Sequence, residues 1–311
     1  MFSELVILFF GLIFLYWGAG FVVDGATKLA KKFGVSKLFI GMTVVTIGTT
    51  TPDLVVNILS TLNGNPALGI GTILGTNLVN ILGIIGVTGL LFTVTTKKDV
   101  TKEAVFALCA VILVFVLSMV QIIGPTDTIS SFEGLLMLVM FGIYLYLIYK
   151  ESPKTKKFSI KIFETKATKH LLLGFFLLMV GGNLAVNGAT MIAKTLNIND
   201  FIVGLTILAI GTALPELSTS IIAALKKQQE ISVGNLLGST VYNTVFILGI
   251  TSIISPIDTK GYHKFFIFNI LAIIILIVFL YTGRKNTISK IEGTLMLLAY
   301  IIIMASILIA I

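Results

Sequence analysis

The stretch GTTTPDL at Gly48–Leu54 returns almost unchanged as GTALPEL at Gly211–Leu217. Each copy sets a carboxylate, Asp53 or Glu216, inside an apolar run long enough to cross a membrane. A charge at bilayer depth costs at least ~2.5–3.5 kcal/mol on insertion scales, so such residues mark function. Two of them in matched Gly-Thr-x-x-Pro settings point to a pair of acids facing each other across one symmetric cation site. The same segment predicts a break in the helix, since Pro52 has no amide hydrogen and its ring collides with the preceding turn. Pro52 suits the first position of the following half-helix. Asp53 then falls in the first turn, where the helix dipole favours negative charge. Thr212, Pro215 and Glu216 repeat the arrangement. Carbonyls released by such a break can coordinate a cation, and irregular backbone at this depth is tolerated only where it lines a site.

Composition agrees. With 56% hydrophobic and 12% charged residues and a mean hydropathy of +1.06, the chain reads as an integral membrane protein, which excludes a soluble globular domain. Apolar windows of about twenty residues, the span of a bilayer core, can be placed ten times. They cover 4–23, 38–62, 67–93, 103–122, 130–149, 170–189, 201–225, 231–255, 264–282 and 290–310. The polar stretch Lys150–Lys169 is a lysine-rich connector, too short to bury a core of its own.

The excess of 22 Lys+Arg over 14 Asp+Glu reports topology rather than a nucleic-acid partner. On these windows 19 of the basic residues fall in loops of one side, and only Lys194, Lys260 and Lys264 fall on the other. That is the positive-inside pattern. It predicts a multi-pass protein of the cell membrane, both termini outside and the central connector in the cytoplasm. The first apolar segment lacks a basic n-region and a small-x-small cleavage site, so it is read as a retained helix. Cys109 stands alone, which leaves neither a disulfide framework nor a thiolate metal site. His170 and His263 lie near span ends and read as interfacial side chains.

Asp53 and Glu216 are separated by 163 residues, and that offset holds without a gap from Gly11/Gly174 to Gly86/Gly249. About a third of the paired positions are identical, the self-similarity of a duplication. VVDGAT (22–27) answers AVNGAT (185–190), and GTILGTNLVN (71–80) answers GNLLGSTVYN (234–243). TISSFEG (128–134) echoes TISKIEG (287–293) at an offset of 159. Each half, 1–149 and 170–311 around the connector 150–169, therefore carries five spans. An odd number turns the second half upside down relative to the first. Inverted repeats are the architecture of secondary transporters, with substrate held near the midplane where the halves meet. The fold expected is all-α, ten membrane helices in two inverted five-helix repeats, with helices 2 and 7 broken.

The second repeated motif gives Gly71, Gly75 and Asn80 in one copy and Gly234, Gly238 and Asn243 in the other. Small residues at this spacing let membrane helices approach closely, and packing accounts for the glycines. It does not account for an amide matched in both halves beside a buried acid, so Asn80 and Asn243 are candidate ligands.

The paired GTTTPDL/GTALPEL motifs, each followed by a G-x-x-x-G-[ST]-x-x-x-N helix, resemble the two alpha-repeats of the sodium/calcium exchangers, in the cation/calcium antiporter superfamily. The resemblance covers essentially the whole chain and is to the short prokaryotic type. It implies a diamond of cation sites between helices 2, 3, 7 and 8. Asp53 and Glu216 would bind one calcium or bridge several sodium ions. Carbonyls of Thr46, Thr49, Ala209 and Thr212 and hydroxyls of Thr76 and Ser239 would complete the outer sites. Asn80 and Asn243 would flank the centre, and helices 1 and 6 would slide as a gating pair.

Three positions depart from the family pattern. Asp53 stands where prokaryotic members usually carry glutamate. Asn243 stands where aspartate is frequent, which argues against potassium dependence. Ala213 replaces the usual serine, whereas Thr50 keeps a hydroxyl in the first copy. The implied activity is sodium/calcium antiport, with the bilayer and the two ions as the only partners, no cofactor, no enzymatic step, and function as a monomer. A proton/calcium antiporter, an intramembrane aspartyl protease and a channel are the competing readings of the same two acids.

Overall fold

Nearly all of the backbone is helical in the computed structural model, which describes residues 2–62, 66–96, 99–120, 127–151, 166–195, 209–282 and 284–309. A chain this apolar must satisfy its amides and carbonyls internally, and a helix does so within one segment. The order begins with α1 (Phe2–Phe33), α2 (Lys37–Ile40, a π turn Gly41–Val45, then Thr46–Thr49) and α3 (Thr51–Leu62). Next come α4 (Pro66–Leu78, a π turn Val79–Ile84, then Ile85–Phe92), β1 (Val94–Thr95), α5 (Thr101–Met119), β2 (Thr128–Ile129) and α6 (Ser131–Glu151). The second half holds α7 (Lys166–Thr195), α8 (Ala209–Thr212), α9 (Leu214–Leu225) and α10 (Gln229–Val241, a π turn Tyr242–Ile247, then Leu248–Ile254). It closes with β3 (Ile257–Asp258), α11 (His263–Thr282), β4 (Thr287–Ile288) and α12 (Lys290–Ile309).

Among the described residues seven helices are long and apolar enough to cross a membrane, and α2 with α3, bent by 44°, makes an eighth if the pair is one span. Of the expected seventh span, 201–208 lies outside the described residues, as does 152–165 of the connector. Helix α1 runs ten residues past its expected window of 4–23. Its charged residues lower the hydropathy there, but Ala26, Leu29, Ala30 and Phe33 keep a buried face going.

The all-helical expectation needs one amendment. Val94 and Thr95 pair antiparallel with Ile288 and Thr287, and Thr128 and Ile129 pair with Asp258 and Ile257. Helix α5 leads from β1 to β2, and α11 leads from β3 to β4, so the two small ladders cap opposite ends of the helices. They also explain the echo TISSFEG/TISKIEG. In each copy Thr-Ile forms the strand and the serine caps the next helix. The backbone N–H of Ser130 donates to Glu133 at 2.9 Å and that of Ser289 to Glu292 at 2.6 Å, as in a capping box. The glycine then meets another helix backbone. A Cβ at Gly134 would lie 2.7 Å from the Gly249 carbonyl oxygen, and one at Gly293 2.8 Å from that of Gly86.

The buried side chains form two apolar clusters. The larger joins α4, α5, α10 and α11 with faces of α6 and α12. The smaller is built on α1 and α7, with contributions from α2 and α9. Helices α1 and α7 run antiparallel along a seam of small residues: Gly11 faces Gly181, Gly18 faces Gly174, and Gly25 faces Ala167. A Cβ added at Gly18 would sit 2.9 Å from both the Gly174 carbonyl oxygen and the Leu178 amide nitrogen, which are backbone atoms and cannot rotate away. Gly18→Ala is therefore expected to lower the melting temperature in detergent, at a cost of about 1–3 kcal/mol of overpacking. Gly142→Ala, whose Cβ would meet nothing within 4 Å, is expected to leave it unchanged or raised. Equal melting temperatures for the two variants would contradict this packing.

Candidate cation-binding site

The two broken helices are built alike. Between α2 and α3, Thr50 adopts φ −85° and ψ 0°. Between α8 and α9, Ala213 adopts φ −86° and ψ −2°. Pro52 and Pro215 follow in the first turn of the outgoing half-helix, and neither can donate to the carbonyl one turn back. In the first copy the Thr51 hydroxyl donates to the neighbouring Ile47 carbonyl, at 2.7 Å.

This geometry carries Asp53 and Glu216 into the interior, each 0% exposed. They are near enough for the charge of one to act on the other. Among the described residues neither carboxylate oxygen of Asp53 has a hydrogen-bond partner, nor does Oε2 of Glu216. Oε1 of Glu216 accepts from the Ser239 hydroxyl at 3.5 Å. Thr212 and Asn243 lie beside Asp53, and Thr49 and Ser239 beside Glu216, so each acid is flanked by a threonine from the other half. A buried carboxylate is costly unless paired, and among the described residues each acid is offered two such oxygen-bearing neighbours rather than a lysine or arginine. The set fits a cation.

The remaining predicted residues fall around the acids in different ways. The hydroxyls of Thr76 and Thr212 are 3.2 Å apart, and the Thr212 hydroxyl is 3.3 Å from the Ala209 carbonyl. Asn80 and Asn243 are both buried and occupy equivalent places in the two π turns, Val79–Ile84 and Tyr242–Ile247. Such turns admit an extra residue and occur mostly at functional sites. Both amide atoms of Asn80 and Oδ1 of Asn243 are without a hydrogen-bond partner. Thr50 behaves otherwise: its hydroxyl and its N–H both donate to the Thr46 carbonyl, at 2.7 and 2.9 Å. It turns back along its own helix. In the second copy Ala213 has no hydroxyl, and its N–H donates to Ile210 at 3.1 Å, so the Ala209 carbonyl does not receive the amide its counterpart does.

Two asparagines escaped the sequence reading. Asn235 is buried; its Oδ1 accepts from the Thr49 hydroxyl at 3.1 Å and its carbonyl from the Thr46 hydroxyl at 3.2 Å. Asn77, also buried, donates to the Thr244 hydroxyl at 2.9 Å, and its Oδ1 accepts from Asn243 at 3.5 Å. Their repeat partners are Thr72 and Thr240, so a search for matched residues passes over them. A polar side chain inside an apolar span was the signal available.

A helical multi-pass membrane protein with oxygen donors gathered around two interior acids is the class that this fold and site define. The sodium/calcium exchanger protein family profile matches residues 3–150 and 167–309. Inner membrane protein YrbG of Escherichia coli strain K12 is 31% identical, over 83% of this chain and 82% of its own. Sodium/calcium exchanger MaX1 of Methanosarcina acetivorans is 26% identical, over 95% and 96%. Among solved structures, the sodium-calcium exchanger NCX_Mj soaked with 10 mM Na+ and zero Ca2+ superimposes with a TM-score of 0.85 at 28% identity, covering 97% of this chain and 98% of that one. The chain belongs to the sodium/calcium exchanger family.

The Asn77 link between α4 and α10 is testable without ions. Asn77→Ala strips a donor from Thr244 and an acceptor from Asn243, and leaving buried polar groups unmatched costs about 1–3 kcal/mol. A clear fall in melting temperature in ion-free buffer is expected, and an unchanged value would show that the link carries no stability.

Proposed function

We propose that this protein is a secondary antiporter that exchanges sodium for calcium by alternating access, with Asp53 and Glu216 sharing the transported cation. One observation carries the reading: two fully buried acids with oxygens lacking partners, at the same position of two broken helices. Family membership supports it, and the relatives MaX1 and NCX_Mj are named as sodium/calcium exchangers. The activity is transport rather than enzymatic conversion.

Calcium takes six to eight oxygens. The carboxylates, the hydroxyls of Thr49, Thr212, Thr76 and Ser239, the amides of Asn80 and Asn243 and the carbonyls of Thr46, Thr49, Ala209 and Thr212 would supply them, without nitrogen or sulfur ligands. Thr50 has its hydroxyl committed to Thr46 and would act on the site only through that carbonyl. Two carboxylates neutralise one calcium ion or hold a few sodium ions, but not both loads at once. That competition is what an exchanger needs. Three sodium ions against one calcium would move one net charge per cycle, coupling transport to voltage at about 2.3 kcal/mol per 100 mV. The neutral Asn243 supports potassium-independent exchange.

The architecture proposed is ten spans in two inverted halves, 1–149 and 170–311, acting as a monomer in the bilayer. In support, α1 and its repeat counterpart α7 run antiparallel, and the ladder of β1 with β4 answers that of β3 with β2 at the opposite end. The separate apolar cluster of α1 and α7 suits a pair that slides against the rest. The proposed topology puts both termini outside and the connector 150–169 in the cytoplasm. On a Cys109→Ser background, Lys260→Cys should react with an impermeant maleimide from outside, and Lys227→Cys only after permeabilisation; the reverse pattern would invert the topology.

Reconstituted in liposomes, the protein should accumulate calcium when an outwardly directed sodium gradient is imposed, and not when a proton gradient replaces it. Asp53→Asn and Glu216→Gln keep side-chain size and remove one charge each; both are expected to abolish uptake while the protein remains folded. Uptake near the wild-type rate in either variant would sink the assignment of the acids.

A further inference from the structure

A hollow lies away from the acid pair, at the end of the bundle that carries β1 and β4. A cavity of about 180 Å³ is lined by Lys102, Glu103, Phe106, Tyr144, Leu147, Ile148 and Glu151. A second, of about 160 Å³, shares Lys102, Glu103, Ile148 and Glu151 and extends towards Ser36, Met42 and Asp99. Since a water molecule fills about 30 Å³ of liquid, the hollow is far larger than a bare metal ion. Among the described residues no group of three or more Asp, Glu, His or Cys is placed to hold a metal.

Its chemistry is that of a cation receptor. Tyr144 is 2% exposed, lines the cavity, and its hydroxyl has no hydrogen-bond partner. Phe106 packs on it with ring centroids 5.0 Å apart. The charge of Glu103 reaches the Tyr144 hydroxyl. Lys102 lines the hollow from its exposed rim: its ammonium group pairs with Glu151 at 3.1 Å, with the two side chains 77% and 56% exposed. Three carboxylates, Asp99, Glu103 and Glu151, thus line a hollow in which Lys102 pairs with Glu151 and Lys285 lies 3.8 Å from Asp99, so the acids outnumber the bases by one in a chain whose net charge is +8. Aromatic faces attract ammonium groups most strongly where water is excluded. The hollow is also reachable from the bilayer, because Leu147, one of its walls, is 42% exposed on the apolar surface.

We propose that this cavity binds a primary ammonium group, carried by an ethanolamine phospholipid headgroup or by a free amine. The three N–H donors would go to Glu103, Glu151 and the Tyr144 hydroxyl over the Phe106 ring, which leaves Lys102 at the mouth for an attached phosphate. Native mass spectrometry of the detergent-solubilised full chain tests this with phosphatidylethanolamine and phosphatidylglycerol of identical acyl chains. The wild type should retain the ethanolamine lipid at least fivefold more strongly. Glu103→Gln and Tyr144→Phe should each remove that preference without altering retention of the glycerol lipid. Tyr144→Phe preserves the packing, so it answers even if the change at half-buried Glu103 destabilises the fold. Displacement of the lipid by millimolar ethanolamine would show that a free amine suffices, and failure to displace it would assign the site to the lipid. Equal retention of the two lipids by the wild type, or an ethanolamine preference that persists in both variants, would overturn the proposal.

Discussion

The structure is organised around two carboxylates buried with no counter-charge among the described residues. Asp53 and Glu216 are fully enclosed and short of hydrogen-bond partners, a state that favours any cation able to reach them. Much of the local backbone follows from that demand. A helix running straight past an acid keeps its carbonyls in the ladder, whereas Pro52 and Pro215 interrupt it and place each acid in the first turn of a new half-helix. The dipole of that half-helix favours the ionised form. The π turns that carry Asn80 and Asn243 break regularity a second time, on the neighbouring helices.

Irregular backbone in an apolar interior must be held from outside, and small residues and caps do so. Polar contacts between the halves, Thr76 with Thr212, Thr49 with Asn235, and Asn77 with Asn243, lock the interrupted helices against one another. The glycine seam between α1 and α7 is of another kind. It is tight, made of backbone against backbone, and belongs to a cluster apart from the main core. Polar contacts thus hold the helices of the two acids together, while the seam joins α1 and α7 into one unit beside them.

Much of this was legible in the residues. GTTTPDL and GTALPEL disclosed the acids, the breaks and the duplication, because a proline and a charge in an apolar span have few explanations. The repeat of GTILGTNLVN disclosed Asn80 and Asn243 but not the π turns, since a π turn is a matter of hydrogen-bond register that no residue type dictates. Asn77 and Asn235 stand opposite Thr240 and Thr72 in the repeat, so matching halves do not single them out. The residues show that Thr50 keeps a hydroxyl where Ala213 has none, and only the geometry shows that hydroxyl turned back to Thr46. The strands β1 to β4 were too short for any alternation to show.

The least symmetric point is Asp53, one methylene shorter than Glu216. Calcium–oxygen distances span only about 2.3–2.6 Å, so an ion shared by the two acids would require the first half to bring Asp53 closer by packing. Strontium-soaked crystals, mapped by anomalous scattering, test the central claim directly. One dominant peak within bonding distance of both Asp53 and Glu216 is the predicted result. A strontium peak held elsewhere in the protein, with the space between the two acids empty, would contradict it.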